Sequence, residues 1–381
     1  MDFKLTREQE EFQAKARELA EKEIAPEAFK RDRSSEFPAH LLSMMGKAGL
    51  MGVMVDPKYG GTGGDCVSYV LALEEVSRVC ASTGVVVSVN NSLVCFPIEH
   101  FGCEAARTAL LPALCTGERV GGFCLTEPSA GTDAAGQQTT ARKEGDCYIL
   151  EGTKIFVTSG SNAKTFVVFA MTDKPKAHKG ISAFAVDKET PGVRTGQLEH
   201  KMGINASGTS EMIFEGCRVP AEHRLGNEGD GFKIAMMTLD GGRIGIAAQA
   251  LGIARAAVEV SLAHLRENPK IGKSQALQHR VAESAAELET ARLVALKAAF
   301  TKDLSNKDHS VRYSREAAMA KLHCAEVAVK ASTSAVQILG HAGTEHGRLA
   351  ERLFRDAKIT EIYEGTSEVQ KMVIASSLGF R

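Results

Sequence analysis

Residues 355–370 read R-D-A-K-I-T-E-I-Y-E-G-T-S-E-V-Q, a helical pattern that a glycine interrupts. Charged residues alternate with isoleucines up to Gly365, as on an amphipathic helix. Thr366 or Ser367 can cap a new helix after the glycine, and Ser367 and Gln370 have capping-box spacing. The stretch therefore predicts two helices with a sharp joint between them.

Glu364 is the last side chain before that joint. A carboxylate held at such a corner can face a cleft, and the apolar neighbours Ile362 and Tyr363 would raise its pKa toward that of a general base. A solvated glutamate near a helix end has the same spacing. The spacing alone leaves both interpretations open.

Composition narrows the classes of function. A chain of 381 residues with 44% hydrophobic content can bury a large core and is expected to form two or three units. A net charge of −1 gives no reason to expect nucleic-acid or membrane-surface partners. No apolar run approaches the roughly 20 residues that span a bilayer, so no membrane insertion is expected.

The cysteines and the N-terminus indicate a compartment. Nine cysteines contain no CxxC pair, and we interpret them as buried thiols with no metal site. The first residues, M-D-F-K-L-T-R-E, lack the apolar segment of a signal peptide. The expected location is cytoplasmic, or the mitochondrial matrix if the protein is eukaryotic and a transit peptide has been removed.

Three segments differ in pattern, and together they predict a mainly α protein with a central β domain. Residues 1–120 have helical spacing, beginning with a capping box at Thr6 and Gln9. Residues 121–231 alternate short β-rich runs with turns and predict a mostly antiparallel β domain, because no helices intervene. Residues 232–381 are helical again. The expected strands are 139–143, 148–150, 154–158, 166–171, 181–186 and 212–214.

The last segment predicts a C-terminal four-helix bundle. Long apolar faces mark helices over 232–265, around 277–298, over 313–339 and over 348–362. Glycine and alanine residues leave little side-chain volume on the surface of the first of these helices. A neighbouring helix or subunit could therefore approach it closely.

The run F-C-L-T-E-P-S-A-G-T-D at 123–133 opens the β domain. Its proline, glycine and small residues predict an irregular loop with free backbone N–H groups. Such a loop suits the polar edge of a planar heterocycle, although an ordinary turn has the same composition.

The stretches 123–133 and 355–370 resemble the signatures of acyl-CoA dehydrogenases. These are flavoenzymes that introduce an α,β double bond into acyl-CoA thioesters. The segment S-V-N-N-S-L at 88–93 resembles the short-chain, butyryl-CoA branch of that family. The resemblance covers nearly the whole chain. It implies that Glu364 is the catalytic base and that the protein is an FAD enzyme.

The resemblance also implies the residues that hold the flavin ring and pyrophosphate. K-I-F-V-T-S-G at 154–160 is similar to the family strand K-x-W-I-T-N-[GA], with Phe156 in place of the usual Trp. Thr132 is in addition placed beside the substrate. The expected FAD residues in this half are Phe123, Leu125, Thr126, Gly131, Thr132, Phe156, Val157 and Thr158.

Two further segments extend the expected site. The resemblance assigns contacts with the acyl-CoA substrate to Asp240, Gly241, Gly242, Arg243 and Gly365. An Asp and an Arg this close on a helix can instead form an internal ion pair.

The remaining FAD contacts implied by the family fall at two C-terminal places. Q-I-L-G-H at 337–341 resembles a segment that reaches a neighbouring subunit's FAD, and the first turn after Gly365 offers N–H groups to an anion. The expected residues are Gln337, Gly340, His341, Thr366, Ser367 and Glu368.

The segment 268–278 departs from the family pattern. The family's Arg-x-x-Phe-Gly is replaced, with Asn268 at the Arg position and Ile271 at the Phe position, and about four residues are missing. Losing one charge-assisted contact would weaken FAD binding by ~1.5–3 kcal/mol. Lys270 or Lys273 could substitute only as a point charge.

The expected reaction is FAD-dependent dehydrogenation of a short-chain acyl-CoA to the trans-2-enoyl-CoA. The resemblance implies that Glu364 removes the pro-R α-proton, that a hydride leaves to flavin N5, and that an electron-transfer flavoprotein accepts the electrons. It also implies a homotetramer, a dimer of dimers. Three alternatives stay open: a branched, dicarboxylic or otherwise unusual acyl-CoA as substrate, an enoyl-CoA reductase, and an acyl-CoA-binding subunit without FAD.

Overall fold

A computed structural model describes residues 4–380. Its first part is helical, as the apolar spacing predicts. At its start Thr6 and Gln9 form the predicted capping box in both directions. The helices are α1 Arg7–Leu19, α2 Ala25–Ser34, α3 Ala39–Lys47, α4 Cys66–Val79, α5 Ala81–Ser88, α6 Phe96–Phe101 and α7 Glu104–Cys115.

A π-helical turn, Val89–Cys95, joins α5 to α6 and is entirely buried. Such turns are frequent at functional sites, because the extra residue turns side chains away from the regular helix positions. This turn packs against the first helix of the C-terminal part.

The middle part is a single eight-stranded sheet. Its order is β6-β7-β3-β2-β4-β5-β8, with β1 beside β4. The pairing is mostly antiparallel as predicted, and the exceptions are the parallel β1–β4 and β2–β4 contacts. The strands are β1 Gly121–Cys124, β2 Thr140–Glu144, β3 Cys147–Val157, β4 Thr165–Met171, β5 Ile181–Asp187, β6 Val193–Leu198, β7 Ser210–Pro220 and β8 Arg224–Leu225.

The sequence-based strand boundaries need correction at several places, and the predicted run 212–214 is part of the longer strand β7. Runs 148–150 and 154–158 form one strand, because Gly152 at φ 148° lets the chain shift register against β7 without ending the strand. A Cβ there would lie 2.5 Å from Thr139 Oγ1. Strands β1, β6 and β8 were not predicted, since glycines or exposed polar residues weaken their local pattern.

The C-terminal part is the predicted helical bundle. Helices α8, α10 and α11 pack together, and α13 and α14 pack on α11. The face of α8 that carries small residues is covered by α4 of the same chain. A Cβ on Gly252 would lie 2.5 Å from the Glu74 carbonyl oxygen there. The helices are α8 Gly231–Glu267, α9 Pro269–Gly272, α10 Gln275–Lys307, α11 Ser314–Leu339, α12 His341–Thr344, α13 Leu349–Thr360 and α14 Ser367–Ser377.

Three smaller predictions are also decided. Thr366 is the cap of α14, so the capping box at Ser367 and Gln370 was wrong. Two helical segments, Ala81–Phe101 and Gly231–Glu267, are long and apolar enough to span a bilayer, contrary to our expectation, but their apolar windows are 100% and 72% buried in the fold. The nine cysteines are free and seven of them are buried as expected, whereas Cys103 is exposed and Cys147 is half-buried. The boundaries 1–120, 121–231 and 232–381 stay a prediction.

Candidate active site

The joint after α13 has an unusual backbone. Glu364 lies at φ +56° and Gly365 at φ +85°. A left-handed conformation is costly for a residue with a Cβ, and it persists where surrounding contacts hold it. Here the Gln370 amide donates to the carbonyls of Glu364 at 3.1 Å and Gly365 at 2.8 Å.

The Glu364 carboxylate has the environment that a general base needs. Its Oε2 atom is buried and has no hydrogen-bond partner among residues 4–380. Burial raises the pKa of Glu364 to about 7, while the charges of Arg243 and Lys321 act in the opposite direction. The group is therefore poised to accept a proton near neutral pH.

Gly242 makes room for this carboxylate. A Cβ at that position would lie 2.7 Å from Glu364 Oε2 and 2.8 Å from Leu93 Cδ2. Both distances are too short for real contacts, so any side chain would displace the carboxylate or the π-helical turn.

If Glu364 is the base that the resemblance implies, Gly242→Ala is expected to lower the rate of substrate oxidation by roughly 10²-fold, since a misplacement of about 1 Å can cost that much. Stopped-flow measurement of flavin reduction would test it. In a Glu364→Gln background the same substitution should add little, because the displaced group no longer reacts. A full additional loss in that background would show that Gly242 acts elsewhere.

Asp240 and Arg243 form the internal ion pair that the sequence left open. Arg243 Nη1 contacts Asp240 Oδ1, and Ser314 donates to the other oxygen of Asp240. Arg243 Nε is buried without a hydrogen-bond partner in the described chain. Gly241 lies beside Lys302, whose Nζ would be 3.2 Å from an added Cβ.

A buried ion pair fixes the loop at 123–133 to β3. Lys154 Nζ donates to Glu127 Oε1 at 2.8 Å and to the Leu125 carbonyl at 3.1 Å, and both charged side chains are almost fully buried. The Ile155 N–H donates to the Thr126 carbonyl at 2.9 Å. The loop and the strand that the resemblance assigns to the flavin therefore form one rigid unit.

Phe156 is presented to solvent from this unit. It has φ +55° at the end of β3 and is 59% exposed, which is unusual for a Phe on a strand. Leu125 and Val157 are buried beside it, Phe123, Thr126 and Thr158 are half-buried, and Gly131 and Thr132 lie on the exposed part of the loop.

Contacts at two points join the middle part of the chain to elements that pack near or lead to Glu364. The Gly121 N–H donates to Asn90 Oδ1 at 3.0 Å, on the π-helical turn whose Leu93 lies against Gly242. The Ile204 N–H donates to Asp356 Oδ1 at 2.6 Å, on the helix that ends before Glu364.

The residues fit a flavin nucleotide. An aromatic ring stands exposed at Phe156, and a Cβ on Gly131 would meet no atom within 4 Å. Ser367 Oγ is buried without a hydrogen-bond partner in the part of the chain that is described. It follows Thr366 at the start of α14, beside Glu368 in the first turn. These are features of a site that a polar planar ligand completes.

Gln337, Gly340 and His341 do not join this cleft. They lie exposed at the C-terminal end of α11. Gln337 is 16 residues along that helix from Lys321, which contacts Gly365, and this corresponds to about 24 Å.

The altered segment 268–278 makes hydrogen bonds to residues that are close to it in the chain. The Asn268 amide donates to the His264 carbonyl, and the Gln278 amide donates to the Gly272 carbonyl at 2.8 Å. Lys270 and Lys273 are exposed.

Sequence reasoning missed residues that support the site. Lys321 stands alone on the alanine-rich face of α11, Gln249 is a single amide within an apolar run of α8, and Gln370 was interpreted as a cap. An isolated polar residue on a buried face was the available signal. Glu127 and Lys154 lay inside quoted motifs, but their pairing depends on the fold.

Comparison with known proteins identifies the family. Three family models match: the acyl-CoA dehydrogenase N-terminal domain at 6–118, the middle domain at 122–217 and the C-terminal domain at 229–379. The chain belongs to the acyl-CoA dehydrogenase family. The sequence-based resemblance and fold class are thereby confirmed.

Individual relatives agree with the family. A short-chain specific acyl-CoA dehydrogenase of Clostridium acetobutylicum is 48% identical, over 99% of this chain and 100% of its own. The butyryl-CoA dehydrogenase structure from Megasphaera elsdenii has TM-score 0.95 at 44% identity, covering 99% of this chain and 100% of that one. A chain in the structure described as the electron transferring flavoprotein of Acidaminococcus fermentans has TM-score 0.96 at 48% identity, covering 99% of each chain.

Proposed function

We propose that this acyl-CoA dehydrogenase oxidises a short-chain acyl-CoA to the trans-2-enoyl-CoA, with Glu364 as the base that removes the α-proton. The observation that carries the proposal is the buried and unpartnered Oε2 of Glu364 against Gly242. A structural glutamate at a helix joint would be solvated or paired. The Oε2 atom of Glu364 is neither solvated nor paired with a donor among residues 4–380.

Glu364 contributes a second group to the reaction. Its backbone N–H donates to no acceptor among residues 4–380. A free N–H beside the base can donate to the thioester oxygen and stabilise the negative charge that develops when the α-proton leaves. The left-handed backbone at Glu364 thus presents an acid–base group and a hydrogen-bond donor together.

The sheet side of the cleft holds the cofactor in this proposal. Phe156, the hydroxyls of Thr126 and Thr158, and Ser367 on α14 would hold the flavin. FAD would supply the hydride acceptor for the hydrogen of the β-carbon. The Glu127–Lys154 pair keeps this wall rigid, which aligns both reacting C–H bonds.

Tightly packed neutral groups near Glu364 favour a short acyl chain. Tyr363 donates to Gln249, and Tyr69 donates to Ser88 at 3.1 Å, where a Cβ on Gly245 would collide with both. This packing leaves little space for a longer acyl chain.

The remaining substrate and partner assignments follow the family. Asp240, Gly241 and Arg243 line the CoA arm together with Thr132 and Gly365, and an electron-transfer flavoprotein accepts the electrons. Exposed apolar residues support a homotetramer, in which Gln337, Gly340 and His341 reach a neighbour's FAD. They are Leu293, Phe300 and Leu304 on α10, Met319 on α11, and Phe380. A cytoplasmic or matrix location stays a prediction.

The purified protein is expected to carry FAD whose visible absorbance bleaches on anaerobic addition of butyryl-CoA. A panel of C3 to C8 acyl-CoAs, with branched and dicarboxylic members, would give the highest kcat/KM for the short straight chains. Absence of bound flavin would instead support an acyl-CoA-binding subunit. Preference for a branched or dicarboxylic member would contradict the short-chain assignment.

A further inference from the structure

Lys321 is a buried cation in α11 that the sequence did not single out. Its side chain is fully buried, and Nζ donates to the Gly365 carbonyl at 2.8 Å. The same carbonyl accepts from Gln370 at 2.8 Å. Two donors from two helices therefore occupy both lone pairs of one carbonyl, directly after Glu364.

Those two contacts act on a strained turn. Successive left-handed residues at Glu364 and Gly365 are stable only when neighbouring groups hold them, since the Glu conformation is intrinsically unfavourable. Without Lys321 the turn would be held at the Gly365 carbonyl by Gln370 alone. The carboxylate would then lose its fixed direction toward Gly242.

The charge of Lys321 is also available to the base. Arg243, the other cation near Glu364, is already paired with Asp240, whereas no carboxylate lies within 4 Å of Lys321 Nζ among residues 4–380. Other charged or titratable groups also lie near Lys321 and Glu364. They are Glu361, Tyr363 and Glu368, on the same segment as Glu364, and Tyr69 on α4.

We propose that Lys321 is a positioning residue for the dehydrogenation: it holds the Gly365 carbonyl, fixes the turn that presents Glu364, and places near the base a positive charge that has no carboxylate within 4 Å among residues 4–380. This proposal rests on the function proposed above. Burial lowers the pKa of Lys321 to about 8, so the cation is present at neutral pH and is lost above about 8.

The test is the pH dependence of flavin reduction by butyryl-CoA in Lys321→Met, with Lys330→Met as control. Lys330 lies on the same helix, exposed and paired with Glu287. Lys321→Met is expected to lower the plateau rate by roughly 10- to 100-fold. It should also move the rising limb to higher pH, because the base loses a neighbouring cation.

Lys330→Met should match the wild type in both respects. FAD content and melting temperature separate this effect from general unfolding. An unchanged rate and pH profile in folded Lys321→Met would overturn the proposal.

A conservative variant separates geometry from charge. Lys321→Arg keeps the cation but replaces the compact ammonium with a longer, planar guanidinium that cannot reproduce the Nζ contact in this buried site, so it should retain the wild-type pH midpoint and lose rate. The Lys321→Arg variant is also the test if Lys321→Met does not fold. A wild-type rate in Lys321→Arg would overturn the positioning role.

If Glu364→Gln is fully active, the proposed function fails. If only the Lys321 variants behave as wild type, this inference alone fails.

Discussion

Replacing Glu364 with Gln is expected to slow flavin reduction by butyryl-CoA roughly 10²–10⁴-fold, the range of a positioned general base. Gln preserves the size of the side chain and leaves the backbone N–H and the Gln370 contacts in place. FAD content and substrate binding should therefore change little. The loss should appear in the rate of the reductive step, measured by stopped flow.

The same variant has a second signature in its pH profile. Because the pKa of Glu364 is raised to about 7 by burial, the deprotonated, reactive form accumulates above that pH. The wild-type rate should rise as pH increases through about 7, and Glu364→Gln should lack that limb. A variant that keeps both the rate and the limb would rule out Glu364 as the base.

Breaking the Glu127–Lys154 pair is expected to have the largest effect on stability. Lys154→Met leaves a carboxylate buried without its cation, which costs about 3–5 kcal/mol when one partner of a buried pair is removed. The loop at 123–133 should loosen from β3 as a result. We expect a lower free energy of unfolding in urea, together with loss of FAD on gel filtration.

A double variant provides the matched control. Glu127→Gln with Lys154→Met removes both charges and keeps one of the two oxygens that accept from the N–H groups of Gln138 and Thr139. Much of the lost stability should return, because no unpaired charge stays buried. Equal stability of Lys154→Met and the wild type would show that the pair is not needed to hold the loop.

The fold was largely predictable because its signals are local. Helical spacing and caps indicated the two helical parts, and alternation between turns indicated the sheet. The predictions failed where glycine alters the backbone without ending an element, as at Gly152 in β3. They also failed for β1, whose G-G-F-C sequence becomes a strand only through pairing with β4.

The sequence by itself determined that Glu364 stands at a joint between two helices, since the interruption at Gly365 and the cap at Thr366 are contiguous in the chain. Only the tertiary structure decided what surrounds that carboxylate. Gly242 and Lys321 lie 122 and 43 residues away from it, and Lys154 lies 27 residues from its partner Glu127. Local sequence patterns cannot predict such pairs, because burial and charge balance arise when separate elements pack together.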